Sequence, residues 1–116
     1  MENKYNLEER TYQFAKRTAF FCKKLPYTST NKEYIPQLIR SSGSTGANYI
    51  EANEALSKKD FVMKIKICRR EAKESIYWIR LIIDTNSEDF KQEGSSLRDE
   101  ATELKKIFSA IIIKSS

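Results

Sequence analysis

Two sets of residues in this chain have the types and spacing to do chemistry: four carboxylates and a row of cations. Glu51, Glu54, Glu71 and Glu74 fall on neighbouring predicted helices, and Glu71 and Glu74, three apart, share one helix face. Paired carboxylates can hold a metal ion or exchange protons. The chain contains no histidine, so the Glu-x-x-His pattern of di-iron bundles cannot occur and the usual general base is missing. Serines cluster near residue 42, but no base accompanies them in a triad. The acids are therefore read as ion-pair partners for Arg40, Lys64 or Arg69. Arg40, Asn48, Glu51, Glu71 and Glu74 are read as structural polar residues. No catalytic residue, metal ligand or cofactor is expected, and the chain is expected not to be an enzyme. A carboxylate site around Glu51, Glu71 and Glu74 is the third-ranked alternative.

The cations point elsewhere. Lys59, Lys66, Arg70, Lys73 and Arg80 form one stripe of a predicted helix, with Tyr77 interleaved. The formal charge is +5, and residues 1–25 and 57–86 together hold a surplus of seven positive charges, while the rest is slightly acidic. Such asymmetry suits an anionic partner, RNA or DNA, whose phosphates those two segments, the first and third helices, are expected to bind with salt-dependent affinity. A solvated helix face or an acidic protein partner explains the same stripe. There is no helix-turn-helix signature, zinc finger or RNP motif.

These residues must be positioned by helices, because apolar side chains recur at helical spacing and no strand-like alternation competes. The first helix is expected at about 7–25 on the stripe Leu7, Thr11, Phe14, Thr18, Phe21, Cys22 and Leu25, ended by Pro26. The second is expected at about 35–55. Thr30 and Glu33 have capping-box spacing, and Pro36 is best placed in a first turn, so regular helix is expected only from Ile35. Its stripe is Ile35, Leu38, Ile39, Ser42, Gly46, Tyr49, Ile50 and Asn53. The small residues from Ser41 to Ala47 are read as a tight helix crossing, with a ligand-binding loop as the alternative.

The third helix, at about 58–85, has the clearest start. Ser57 caps it, and Leu56 and Phe61 are placed as a hydrophobic staple. Phe61, Ile65, Cys68, Ala72, Ser75, Ile79 and Ile82 follow a 3-4 repeat suited to bundle packing. Ile67, Tyr77, Trp78 and Leu81 form a second apolar face, expected to meet another subunit or to brace the second helix, with Asn48 and Glu51 satisfying polar contacts nearby. The fourth helix is expected at about 88–113, starting near Ser87 or as late as Ser96, on Leu97, Ala101, Leu104, Phe108 and Ile111. Short connections between long helices predict an all-α, antiparallel up-down-up-down four-helix bundle in a single domain spanning residues 1–116.

Cys22 and Cys68 fall on apolar stripes and read as small buried hydrophobes. No apolar run approaches the length of a membrane span, and MENKYNLEER lacks an apolar signal core, so a soluble cytoplasmic protein without a membrane partner is expected.

Several ordered segments resemble a known family. Phe14 through Leu25-Pro26 is similar to an aromatic-rich helix ending in Leu-Pro. Gln37-Leu38-Ile39-Arg40-Ser41 and Gly46-Ala47-Asn48-Tyr49-Ile50-Glu51-Ala52 match its Gln-Leu-x-Arg-Ser and Gly-Ala-Asn-x-x-Glu-Ala segments. Ser57-Lys58-Lys59-Asp60-Phe61 and Glu71-Ala72-Lys73-Glu74 with Tyr77-Trp78 and Leu81 match two more. The chain resembles the bacterial 23S rRNA-intervening sequence proteins. Pro36 and Ser42-Gly43-Ser44 depart mildly from the pattern. The resemblance implies a four-helix bundle assembled as a homopentameric ring, with no known catalysis. It also implies kinship with accessory proteins of diversity-generating retroelements, which bind nucleic acid and a reverse transcriptase.

Overall fold

The computed structural model describes the backbone of residues 2–115 and the side chains of residues 7–115. Four helices follow one another: α1 (Glu2–Lys24), α2 (Ser29–Asn53), α3 (Lys58–Thr85) and α4 (Lys91–Lys114), the last preceded by a 3-10 turn at Glu88–Phe90. No strand occurs among the described residues. At about 1.5 Å per residue, α3 alone runs nearly the 45 Å length of the molecule.

Contacting residues fix the helix directions. Tyr34 meets Trp78, Ser41 meets Ser75 and Glu51 meets Lys64, so α2 and α3 are antiparallel. Arg10, Arg17 and Lys24 meet Glu100, Ser96 and Glu93, which makes α1 and α4 antiparallel. Helix α3 packs most extensively, on both α2 and α4, whereas α1 meets α4 only sparsely. Arg10 closes that thin seam with a two-pronged bond to Glu100 at 2.7 and 3.0 Å, and Lys24 adds Glu93 at 2.8 Å.

The predicted stripes of α1 and α3 become the core. Phe14, Phe21, Ile65, Cys68, Ile79 and Ile82 are essentially solvent-free, as are Leu97, Leu104 and Phe108 of α4. On α2 the stripe turns out differently. Ile39 and Ile50 are exposed, and the inward residues are Leu38, Ser41, Ser42, Thr45, Tyr49 and Ala52. Small hydroxyl residues face inward because the neighbouring backbones come close. A Cβ on Gly46 would lie 2.9 Å from Thr11 Oγ1, so this segment is a tight helix crossing. The hydroxyls of Ser41, Thr45 and Ser75 are satisfied by carbonyls of their own helices and by the 2.8 Å Ser41–Ser75 contact.

Helix ends also depart from expectation. α2 begins at Ser29, not Ile35. Its cap is Thr28, whose extended backbone lets its hydroxyl accept from Asn31 N at 3.0 Å, and no Thr30–Glu33 box forms. Pro36 therefore lies inside the helix. It is exposed, so water can take up the carbonyl that its missing N–H leaves free. Ser57 does cap α3, accepting from Asp60 N at 3.0 Å, but Leu56 is fully exposed and staples nothing. α4 begins at Lys91, between the expected limits of Ser87 and Ser96, with Gly94 buried inside it.

Candidate nucleic-acid interface

Helix α3 sorts its side chains by neighbour. On the α2 flank Arg40 reaches across to Glu71 at 3.2 Å and to Glu74, and Lys64 pairs with Glu51 at 2.9 Å. Glu51 and Glu71 are thus held by cations, and Asn48 donates to the Ser44 carbonyl at 2.8 Å. No group of three or more potential metal-binding side chains forms among the described residues. Burial pushes the Cys22 thiol up to about 11 and the Cys68 thiol up to about 12, so neither is a thiolate nucleophile near neutral pH.

The outward face of α3 carries Lys59, Lys66, Arg70, Lys73 and Arg80, all exposed, along about 31 Å of helix. Three shallow depressions run beside this stripe. The first is lined by Arg70, Lys73, Glu74, Ile76, Tyr77, Arg80 and Lys105. The second is lined by Lys66, Arg69, Arg70, Lys73, Lys105 and Ser109. The third lies among Lys58, Lys59, Val62, Met63 and Lys66. Shared walls at Lys66, Arg70, Lys73 and Lys105 join them into one groove.

The second depression is the most strongly charged. Of its five cations only Arg70 approaches a carboxylate, Glu71 at 3.7 Å; Lys66, Arg69, Lys73 and Lys105 have no ion-pair partner among the described residues. Arg69 points instead to Ser109 Oγ at 3.4 Å, away from the acids expected to hold it. Sequence reasoning missed Lys105 and Ser109. They lie four residues apart on α4, beside its apolar stripe, and only α3–α4 packing brings them to the cations. By contrast, Arg10 and Lys24 of α1 are engaged by Glu100 and Glu93, and Lys23 sits over the Phe20 ring at 5.4 Å.

The four residues of the second apolar face separate. Tyr77 is 55% exposed and lines the basic groove. Ile67, Trp78 and Leu81 are half-buried. Trp78 packs on Tyr34, with centroids 5.7 Å apart, and edge-on against Tyr77 at 5.1 Å. Its Nε1 is buried without a hydrogen-bond partner. Ile39 and Ile50 of α2 and Tyr12 and Phe20 of α1 are further exposed apolar side chains. No described helix is long and apolar enough to cross a membrane.

Comparison with known proteins gives a consistent picture. No curated protein matches the sequence. A crystal structure from Bacteroides thetaiotaomicron, described as a protein of unknown function from the S23 ribosomal protein family, superposes with a TM-score of 0.77 at 30% identity, covering 91% of this chain and 97% of that one. The 23S rRNA-intervening sequence protein family matches residues 3–110. With the same helical architecture and nearly the whole chain matched, this protein belongs to the 23S rRNA-intervening sequence protein family.

Proposed function

We propose that this protein is a non-enzymatic, homo-oligomeric scaffold that binds RNA or DNA through the α3–α4 groove. One observation carries the reading: Lys66, Arg69, Lys73 and Lys105 converge around Ser109 without a neutralising carboxylate among the described residues. Folded proteins ordinarily intersperse charges of both signs on their surfaces. An uncompensated cluster along a groove repels itself and is relieved by a polyanion, whose phosphates release counterions on binding. Side chains with rotatable N–H donors and a hydroxyl suit phosphate oxygens.

Self-assembly is the second part of the reading. The exposed Ile39 and Ile50 on α2, with the half-buried Ile67, Trp78 and Leu81 on α3, offer apolar surface for a second copy, in keeping with the ring of five that the family resemblance implies. A ring would repeat the groove and raise affinity through multivalency.

Light scattering coupled to size exclusion, at low and high salt with absorbance at 260 nm, tests both parts. The expected result is a pentamer mass with nucleic acid that high salt strips away. Reversing charge at Lys66, Arg70 and Lys73 is expected to abolish binding while leaving the fold intact. Unchanged binding in that variant sinks the groove. A clean oligomer that instead retains an acidic protein after nuclease treatment turns the reading to a protein-interaction module.

A further inference from the structure

We infer that the groove selects unpaired over double-stranded nucleic acid, seating one base on Tyr77 with its phosphate among Arg69, Arg70, Lys73 and Lys105; this rests on the nucleic-acid reading above. The first and second depressions are neighbours and chemically different. The one beside Ser109 is lined by cations and a hydroxyl alone, which suits a phosphate. The one beside it adds the apolar surface of Ile76 and Tyr77 to Arg70, Lys73, Arg80 and Lys105, and the carboxylate of Glu74, which also lines it, is held by Arg40. Arg70, Lys73 and Lys105 belong to both depressions. An apolar seat sharing its wall with an anion seat has the composition of one nucleotide.

Tyr77 suits this role. The residue is 55% exposed, and its ring meets Trp78 edge to face at an interplanar angle of 77°, a contact that favours one orientation of the platform. Aromatic platforms within cationic grooves stack unpaired bases with little sequence preference. A duplex keeps its base faces stacked inside and offers Tyr77 only base edges, sugars and phosphates. The pairing of platform and cation cluster therefore discriminates by strandedness, which a basic stripe alone does not do.

The test uses the 116-residue chain and fluorescence anisotropy with a labelled single strand of about 12 nucleotides, in RNA and DNA form, against the same sequence annealed to its complement. The single strand is expected to bind at least about tenfold tighter. Tyr77→Ala should weaken the single strand about tenfold or more and leave duplex affinity unchanged, and Tyr77→Phe should retain binding, because base stacking is worth that much per base. Thermal melting checks that both variants fold. Duplex binding as tight as single-strand binding, or equal losses for both in Tyr77→Ala, overturns the strand preference while leaving the groove as a nucleic-acid site. Absence of binding by either form overturns both readings.

Discussion

Asn31 and Asn86 exchange two side-chain hydrogen bonds, each Nδ2 donating to the other's Oδ1 at 2.9 Å. Asn31 sits in the first turn of α2 and is 2% exposed, and Asn86 is the C-cap of α3. Their remaining donor capacity goes to main-chain carbonyls, Asn31 to Pro26 at 2.9 Å and Asn86 to Ile82 at 2.8 Å. One amide pair therefore ties the α1–α2 connection to the end of α3, where no apolar side chain could satisfy those carbonyls.

Breaking that pair should be costly and non-additive. Asn31→Ala and Asn86→Ala each leave a partner amide and a carbonyl unsatisfied, at about 1–3 kcal/mol apiece. The double variant should lose less than the sum, with a coupling of about 1 kcal/mol. Urea midpoints at unchanged m-value measure this. Strict additivity would mean that the two amides act independently.

Two glycines of opposite character give a paired expectation. A Cβ at Gly94 would come within 2.6 Å of Ile83 Cγ1 and 3.3 Å of Phe21. Gly94→Ala should therefore destabilise by about 1–3 kcal/mol through overpacking, outweighing its helix-propensity gain. Gly43 has nothing within 4 Å of such a Cβ, so Gly43→Ala should stabilise by up to about 1 kcal/mol. Thermal melts of the two variants should move in opposite directions, and a shift in the same direction would refute the account of close approach at Gly94.

Arg40 supplies a third expectation. The Glu71 side chain is 9% exposed and depends on Arg40, with Arg70 a more distant 3.7 Å away. Arg40→Met should cost about 1–3 kcal/mol by leaving a buried carboxylate poorly compensated. Glu74 is 40% exposed, so Glu74→Gln should cost under about 1 kcal/mol. Adding Glu71→Gln to Arg40→Met should recover part of the loss in urea unfolding. If it deepens the loss, Arg40 stabilises the fold through packing of its stem rather than through its charge.

How far the fold was legible follows from where periodicity is strong. On α1 and α3 large apolar residues anchor the stripe at regular helical spacing, with Thr11, Thr18, Ala72 and Ser75 between them, and Phe14, Phe21, Ile65 and Ile79 landed in the core. On α2 the inward face is Ser41, Ser42 and Thr45, chosen for the closeness of neighbouring helices, a tertiary property that hydrophobic spacing does not encode. Pro36 misled for a related reason, since its exposure inside α2 depends on how that helix is turned. The α3 stripe was readable as a row of cations, but Lys105 and Ser109 reach it only through α3–α4 packing. The Asn31–Asn86 pair spans 55 positions and leaves no local signal.

The two buried thiols make stability fall at alkaline pH. Burial raises Cys22 to about 11 and Cys68 to about 12 from an ordinary value of 9.0. Between those values the unfolded chain has released protons that the folded chain still holds, so stability is whole below about pH 9 and falls as pH rises through that window. Each thiol contributes at most about 1.4 kcal/mol per pH unit. Tyr49, raised chiefly by burial, and Lys64, raised chiefly by its bond to Glu51, add to the fall in the same direction. Comparison with a variant isolates the thiol: Cys68→Ala should be less stable at pH 8 because of the cavity it leaves, yet lose less stability than the parent between pH 8 and 10. Parallel losses measured by urea unfolding would show that Cys68 ionises equally easily in both states. A thiol-reactive dye at pH 8 should likewise label both cysteines only at the rate of unfolding.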